Sequence, residues 1–236
     1  MRNVPATNMS LAPVDYDFGV PANYAFAENI TCSNDEARKM YVEAFGHMLN
    51  YNHEQAITCF TKCAELDENC AMAWWGIAYC LSSSYNWSAG LGPGYDAISQ
   101  AVALKDHCSE LEQDLIMALS KRHTKEARDN ANPAALNMGN SPELNQAFAD
   151  AMAPLYEKYK GNLDVTAIYV EALMNLNPWT LWNKDTASGE ITPVDDSTLM
   201  LIKIMEDAFE NVPGAKEHPA LCHLYCHALE LSPYPE

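Results

Sequence analysis

The chain has 236 residues, 48% of them hydrophobic, which suits one large globular domain or one elongated repeat array. Its 32 acidic residues outnumber 14 basic ones, for a net charge of −18. Phosphate backbones and anionic bilayers both demand clustered Lys and Arg, so neither nucleic acid nor a membrane is an expected partner.

Residues 1–32 read as an N-terminal tail that is polar and aperiodic, with Tyr16, Phe18, Tyr24 and Phe26 available to lie along the first helices. Pro5, Pro13, Asp15, Asp17 and Pro21 interrupt any apolar core, so the start does not read as a secretory signal. No later run of 18 apolar residues suggests a membrane span. A cytoplasmic protein with reduced thiols is therefore expected for the eight cysteines, and the Asn-x-Ser/Thr triplets at Asn8, Asn29 and Asn86 carry no weight.

From Ser33 the pattern becomes helical. Ser33 reads as an N-cap before Asn34, Asp35 and Glu36, with acidic groups suited to the helix dipole. The first helix runs to about Asn50, a second from His53 to about Leu66, and a third from Cys70 to about Ser83. Cys59 and Cys63, one turn apart and followed by Leu66, read as core packing, with no second pair at zinc-site spacing.

Ala37, Met40, Tyr41 and Ala44 recur 34 residues later as Ala71, Trp74, Trp75 and Ala78, the tetratricopeptide period. Trp74 and Ala78 fit the large and small positions of such a hairpin, and Ala56, Phe60 and Cys63 fit its second helix. A single hairpin cannot bury its apolar stripe alone, so the pattern implies stacking. The next helix, Tyr95 to about Asp106, arrives late because about seven residues are inserted in the stretch 84–94. That loop holds Gly90, Gly92, Gly94, Tyr85 and Trp87, which either contact a ligand or cap the core.

Ser109 and Glu112 form a capping box for a helix to His123, and Lys125 to Asn140 reads as a loop. Helices follow from Ser141 to Lys160, from Leu163 to Leu176 and from Asp195 to Asn211, the last with Leu199, Ile202, Met205 and Phe209 inward. Asn177-Pro178-Trp179 opens a long loop, and no segment alternates as a strand would. His47, His53, His107 and His123 sit near helix ends, where they suit the dipole or the turn.

Pro219 starts the last helix, which runs to Leu231. His223, His227 and Glu230 fall within about 60° of one another on it, with His218 at its entry. Imidazoles at i and i+4 on one face share a metal ion well, and a carboxylate one turn on adds a third ligand. Zinc or copper suits such donors. The metalloprotease arrangement is rejected, because Leu224 stands where its general-base Glu belongs.

The stretches Asn52–Ala56 and Leu66–Tyr79, the Asn177-Pro178-Trp179 turn with Trp182, and His218-Pro219 leading to His223, His227 and Glu230-Leu231-Ser232-Pro233 resemble a largely uncharacterised family of tetratricopeptide-repeat proteins. The resemblance covers roughly residues 33–236. It implies an all-α fold of antiparallel helical hairpins stacked as an α-solenoid. It also implies a further hairpin carrying a His-Met-Pro-x-His segment, so this chain is expected to be an N-terminal fragment.

Two functions follow. The first is a scaffold that binds a protein or peptide, though scarce Lys and Arg argue against a groove for acidic tails. The alternative is a metal-dependent enzyme, a redox one among the options, in which His223 and His227 hold a divalent or copper ion with Glu230 or His218 as third ligand.

Overall fold

The computed structural model describes residues 25–86, 92–130 and 141–235. Expectations for Tyr16, Phe18, Tyr24, Trp87 and the stretch 131–140 lie outside them. A short helix α1 (Ala25–Glu28) precedes α2 (Asp35–Leu49), α3 (His53–Leu66) and α4 (Ala71–Cys80). The cap of α2 is Asn34 rather than Ser33, its side chain accepting from the Ala37 N–H at 2.7 Å. Ser33 instead donates its N–H to Asp67, tying the start of α2 to the end of α3.

The 34-residue period survives as a burial pattern. Ala37 and Ala71, Tyr41 and Trp75, and Ala44 and Ala78 are fully buried, whereas Met40 and Trp74 are only partly so. The large core residue of the second unit is therefore Trp75, not Trp74, and its indole N–H donates to the Leu115 carbonyl. Gly76 of α4 meets the buried Phe60 ring of α3. A Cβ there would lie 2.4 Å from Phe60 Cζ.

Alanine favours a helix over glycine by up to about 1 kcal/mol. Forcing a methyl into a packed ring costs about 1–3 kcal/mol. Gly76→Ala is thus expected to be destabilising on balance, by about 1–2 kcal/mol in urea unfolding. The loss should shrink when Phe60→Leu is added, and a more stable Gly76→Ala protein would disprove this packing.

The chain continues through α5 (Gly92–Leu104), a 3-10 turn (Lys105–His107), α6 (Glu110–Ser120) and α7 (Lys125–Asp129). The Ser109–Glu112 capping box forms as expected. Glu112 also accepts from the Thr31 N–H and hydroxyl, both at 2.7 Å, which docks the segment before α2 onto α6. The expected loop after residue 124 begins as a helical turn, because Thr124 caps it and Arg128 reaches Asp96 at 2.7 Å.

The last elements are α8 (Pro142–Lys158), α9 (Leu163–Met174), β1 (Trp182–Lys184), β2 (Ile191–Pro193), α10 (Asp196–Asn211) and α11 (Pro219–Leu229). The two strands correct the strand-free reading. They pair antiparallel, Asn183 opposite Thr192, and are too short for alternation to show. The α10 stripe is shifted from expectation as well. Thr198, Leu201, Ile204, Met205 and Ala208 face the core, while Leu199 is exposed.

Most successive helices pack against each other, though α7 packs on α5 and α6 on α8, and α2 also packs on α4 and α4 on α6. Every residue of α9 is buried, since α8, α10 and α11 surround it. The described fold is helical apart from the β1–β2 hairpin. None of its helices is long and apolar enough to cross a membrane.

Candidate functional site

The end of α11 is held by His218. Its Nδ1 accepts from the Leu221 N–H at 3.2 Å, and its Nε2 lies 3.2 Å from Asp164 Oδ1 on α9. Both side chains are almost fully buried. His218 thus works as the helix cap and as the joint between α11 and α9, with both ring nitrogens engaged there.

One and two turns further on, His223 and His227 meet edge to face, ring centroids 4.6 Å apart. Their Nε2 atoms approach one atom, the Asn86 side-chain nitrogen, at 3.3 and 2.9 Å. The opposite nitrogen of His227 lies 2.9 Å from Glu230 Oε1. An ionised carboxylate only accepts, so His227 Nδ1 carries the proton and Nε2 presents its lone pair. A carboxamide nitrogen has two N–H groups, which allows one for each imidazole. Burial, then the neighbouring His227, lowers the His223 pKa, against the pull of Glu230. This favours the neutral ring.

Aromatic rings wall the pair. Tyr51, in the turn between α2 and α3, stacks on His223 with centroids 4.3 Å apart. Tyr85 and Trp179 stack on each other at 5.2 Å and lie 5.3 and 5.5 Å from His227. Trp179 is 51% exposed. Tyr51 and Trp179 are also the two non-glycine residues with positive φ among the described residues, at 60° and 61°. Bulky side chains rarely adopt that region, and such strain gathers at functional sites.

Beside Tyr51 lies a cavity of about 10 Å³, about the room of one water, lined by Tyr51, Tyr79 and Glu171 together with apolar residues of α2, α9 and α11. The Tyr79 hydroxyl donates to Glu171 in a short hydrogen bond. Trp182, which flanks Trp179 in sequence, donates its indole N–H to the Ala228 carbonyl at 2.7 Å and fastens β1 onto α11.

The structure therefore brings His223 and His227 together and sets Glu230 behind His227. It places His218 in the core joint with Asp164. These four do not form one of the donor groups in which three His, Cys, Asp or Glu atoms lie within 4.8 Å of one another. Asn86 and Tyr51 carry no sequence signal for this role. Asn86 sits in an insertion, and Tyr51 reads only as a helix break. No protein-family model, no curated protein and no solved structure matches the chain.

Proposed function

We propose that the chain is a tetratricopeptide-like stack of helical hairpins that serves as a binding scaffold, and that the cluster around His223 and His227 reads a cationic side chain of a protein or peptide partner. The carrying observation is the pair of positive-φ aromatics, Tyr51 and Trp179, whose rings lie against the two imidazoles. The 34-residue burial register and the packing of α2 on α4 and α4 on α6 support the scaffold part. The exposed Trp179, backed by the buried Tyr85 ring, offers a π face, Glu230 offers negative charge, and the whole chain carries −18. A cation over such faces gains about 0.5–2 kcal/mol.

The test titrates tetra-arginine and tetra-lysine peptides, with tetra-glutamate as control, reading affinity by calorimetry and contact from the Trp179 indole resonance. The cationic peptides should shift that resonance, and Trp179→Ala should weaken their binding by about tenfold. Unchanged binding by Trp179→Ala would sink the reading.

A metal ion is the second reading, favoured by the convergence of both Nε2 atoms on one point and by Glu230 on the far nitrogen of His227. Carboxylates orient metal-bound imidazoles in that way. An ion would take the position of the Asn86 amide group, held by His223 and His227. Equilibrium dialysis against Zn²⁺ or Cu²⁺ tests it, because the double variant His223→Ala, His227→Ala should lose the bound ion.

A further inference from the structure

Glu43 and His47 stand four residues apart on α2, which places them on one face a turn apart. Cys59 faces them from α3, the antiparallel partner of α2. One ligand atom from each lies within 4.8 Å of the other two. Cys59 and His47 are buried, and Glu43 is partly exposed. From these positions we infer a zinc-class metal site on the first hairpin, with Cys59 Sγ, a His47 ring nitrogen and a Glu43 carboxylate oxygen as its ligands.

The donor types select the ion. Thiolate and imidazole suit Zn²⁺ and Co²⁺, whereas Mg²⁺ and Ca²⁺ take oxygen ligands. Bonds of about 2.0–2.3 Å span tetrahedron edges of about 3.3–3.8 Å, so closing this triangle takes shifts of about 1 Å or less. The partly exposed Glu43 marks the open side, where an ion enters and where solvent supplies the fourth ligand. The Gln55 side-chain nitrogen donates to Cys59 Sγ at 3.7 Å, orienting the sulfur from behind.

The thiol has little use without a cation. Burial, then the charge of Glu43, pushes Cys59 up to about 11, which makes it a poor nucleophile. On binding, the sulfur gives its proton to solvent and forms the metal–sulfur bond, with no change of oxidation state. The ion would tie α2 to α3 across the face opened by Glu43.

The site is distinct from the His223–His227 cluster, and the experiment separates them. The intact chain, kept reduced with a non-thiol phosphine, is titrated with Co²⁺ and then back-titrated with Zn²⁺. A near-ultraviolet sulfur-to-cobalt absorption reporting one ion per chain is expected, and Zn²⁺ should remove it. Cys59→Ser should abolish the absorption, and Glu43→Gln should weaken Co²⁺ binding by at least about tenfold. The double variant His223→Ala, His227→Ala should leave it intact.

Glu43→Gln changes a partly exposed group, so it tests the site even where Cys59→Ser fails to fold. Absence of the sulfur-to-cobalt absorption in the wild type would overturn the inference. So would its persistence in Cys59→Ser, or an unchanged affinity in Glu43→Gln.

Discussion

Arg122→Met is expected to lower the unfolding free energy at pH 7 by about 3 kcal/mol, the low end for stranding a buried charge. Arg122 is 3% exposed, yet its hydrogen bond is a single one from Nε to Asn145 Oδ1, at 3.0 Å, and Nη2 has no partner among the described residues. Its guanidinium lies 5.5 Å from the Phe148 ring centre. What offsets its desolvation is the field of Glu171, a fully enclosed carboxyl on α9. Burial raises the Glu171 pKa, while the Tyr79 hydrogen bond and the Arg122 charge pull it back.

Removing the guanidinium leaves Glu171 either charged without a counterion or forced to take a proton. The defect should therefore shrink as the pH is lowered towards 5, where the carboxyl protonates more readily. Adding Glu171→Gln to Arg122→Met should recover a good part of the loss. Chemical denaturation of the four proteins of this cycle decides the matter. Strict additivity would mean that the two groups do not support each other.

The helices were legible because their signals are local. The Ser109–Glu112 box and the 34-residue recurrence from Ala37 to Ala71 need no knowledge of the fold. The errors arise where tertiary packing chooses between neighbours. Trp74 and Trp75 are equally large, and only contact with α6, through the Leu115 carbonyl, selects Trp75. Leu199 and Leu201 both suit a helix stripe, and the side α10 turns to the β hairpin and α9 selects Leu201.

The candidate site was half visible. The i, i+4 spacing gave His223 and His227 together with Glu230. It could not tell a ligand from a group that fixes a tautomer, which depends on the ring nitrogen Glu230 meets. His218 looked available because its partner, Asp164, lies 54 residues away. Asn86 lies far along the chain from His223, and Cys59 meets Glu43 and His47 only through the packing of α3 on α2, so neither grouping shows as a spacing pattern.

The second large effect is an acid transition governed by His53. This residue opens α3, is 7% exposed, and its Nε2 has no hydrogen-bond partner among the described residues. Burial pushes its pKa down to about 4 from the ordinary 6.5. Above pH 6.5 the ring is neutral both in the fold and in the unfolded chain, so the stability is complete there. Between 6.5 and 4 the unfolded chain takes up a proton that the fold refuses. Stability then falls by up to about 1.4 kcal/mol per pH unit, about 3 kcal/mol in all.

His47 and His223 push the same way, since burial lowers both. Asp164 and Glu171 push the other way, because burial raises their pKa and their fold gains a proton first as the pH drops. His53→Gln isolates the single term. Its stability, measured in urea from pH 7 to 4, should show a slope flatter than wild type, with the gap closing above pH 6.5. Parallel curves for the two proteins would disprove it. The His53 ring also lies 5.9 Å from Tyr51, the residue stacked on His223. Protonation at the start of α3 would therefore loosen one wall of the histidine cluster, and the Tyr51 ring resonances should broaden as the pH approaches about 4.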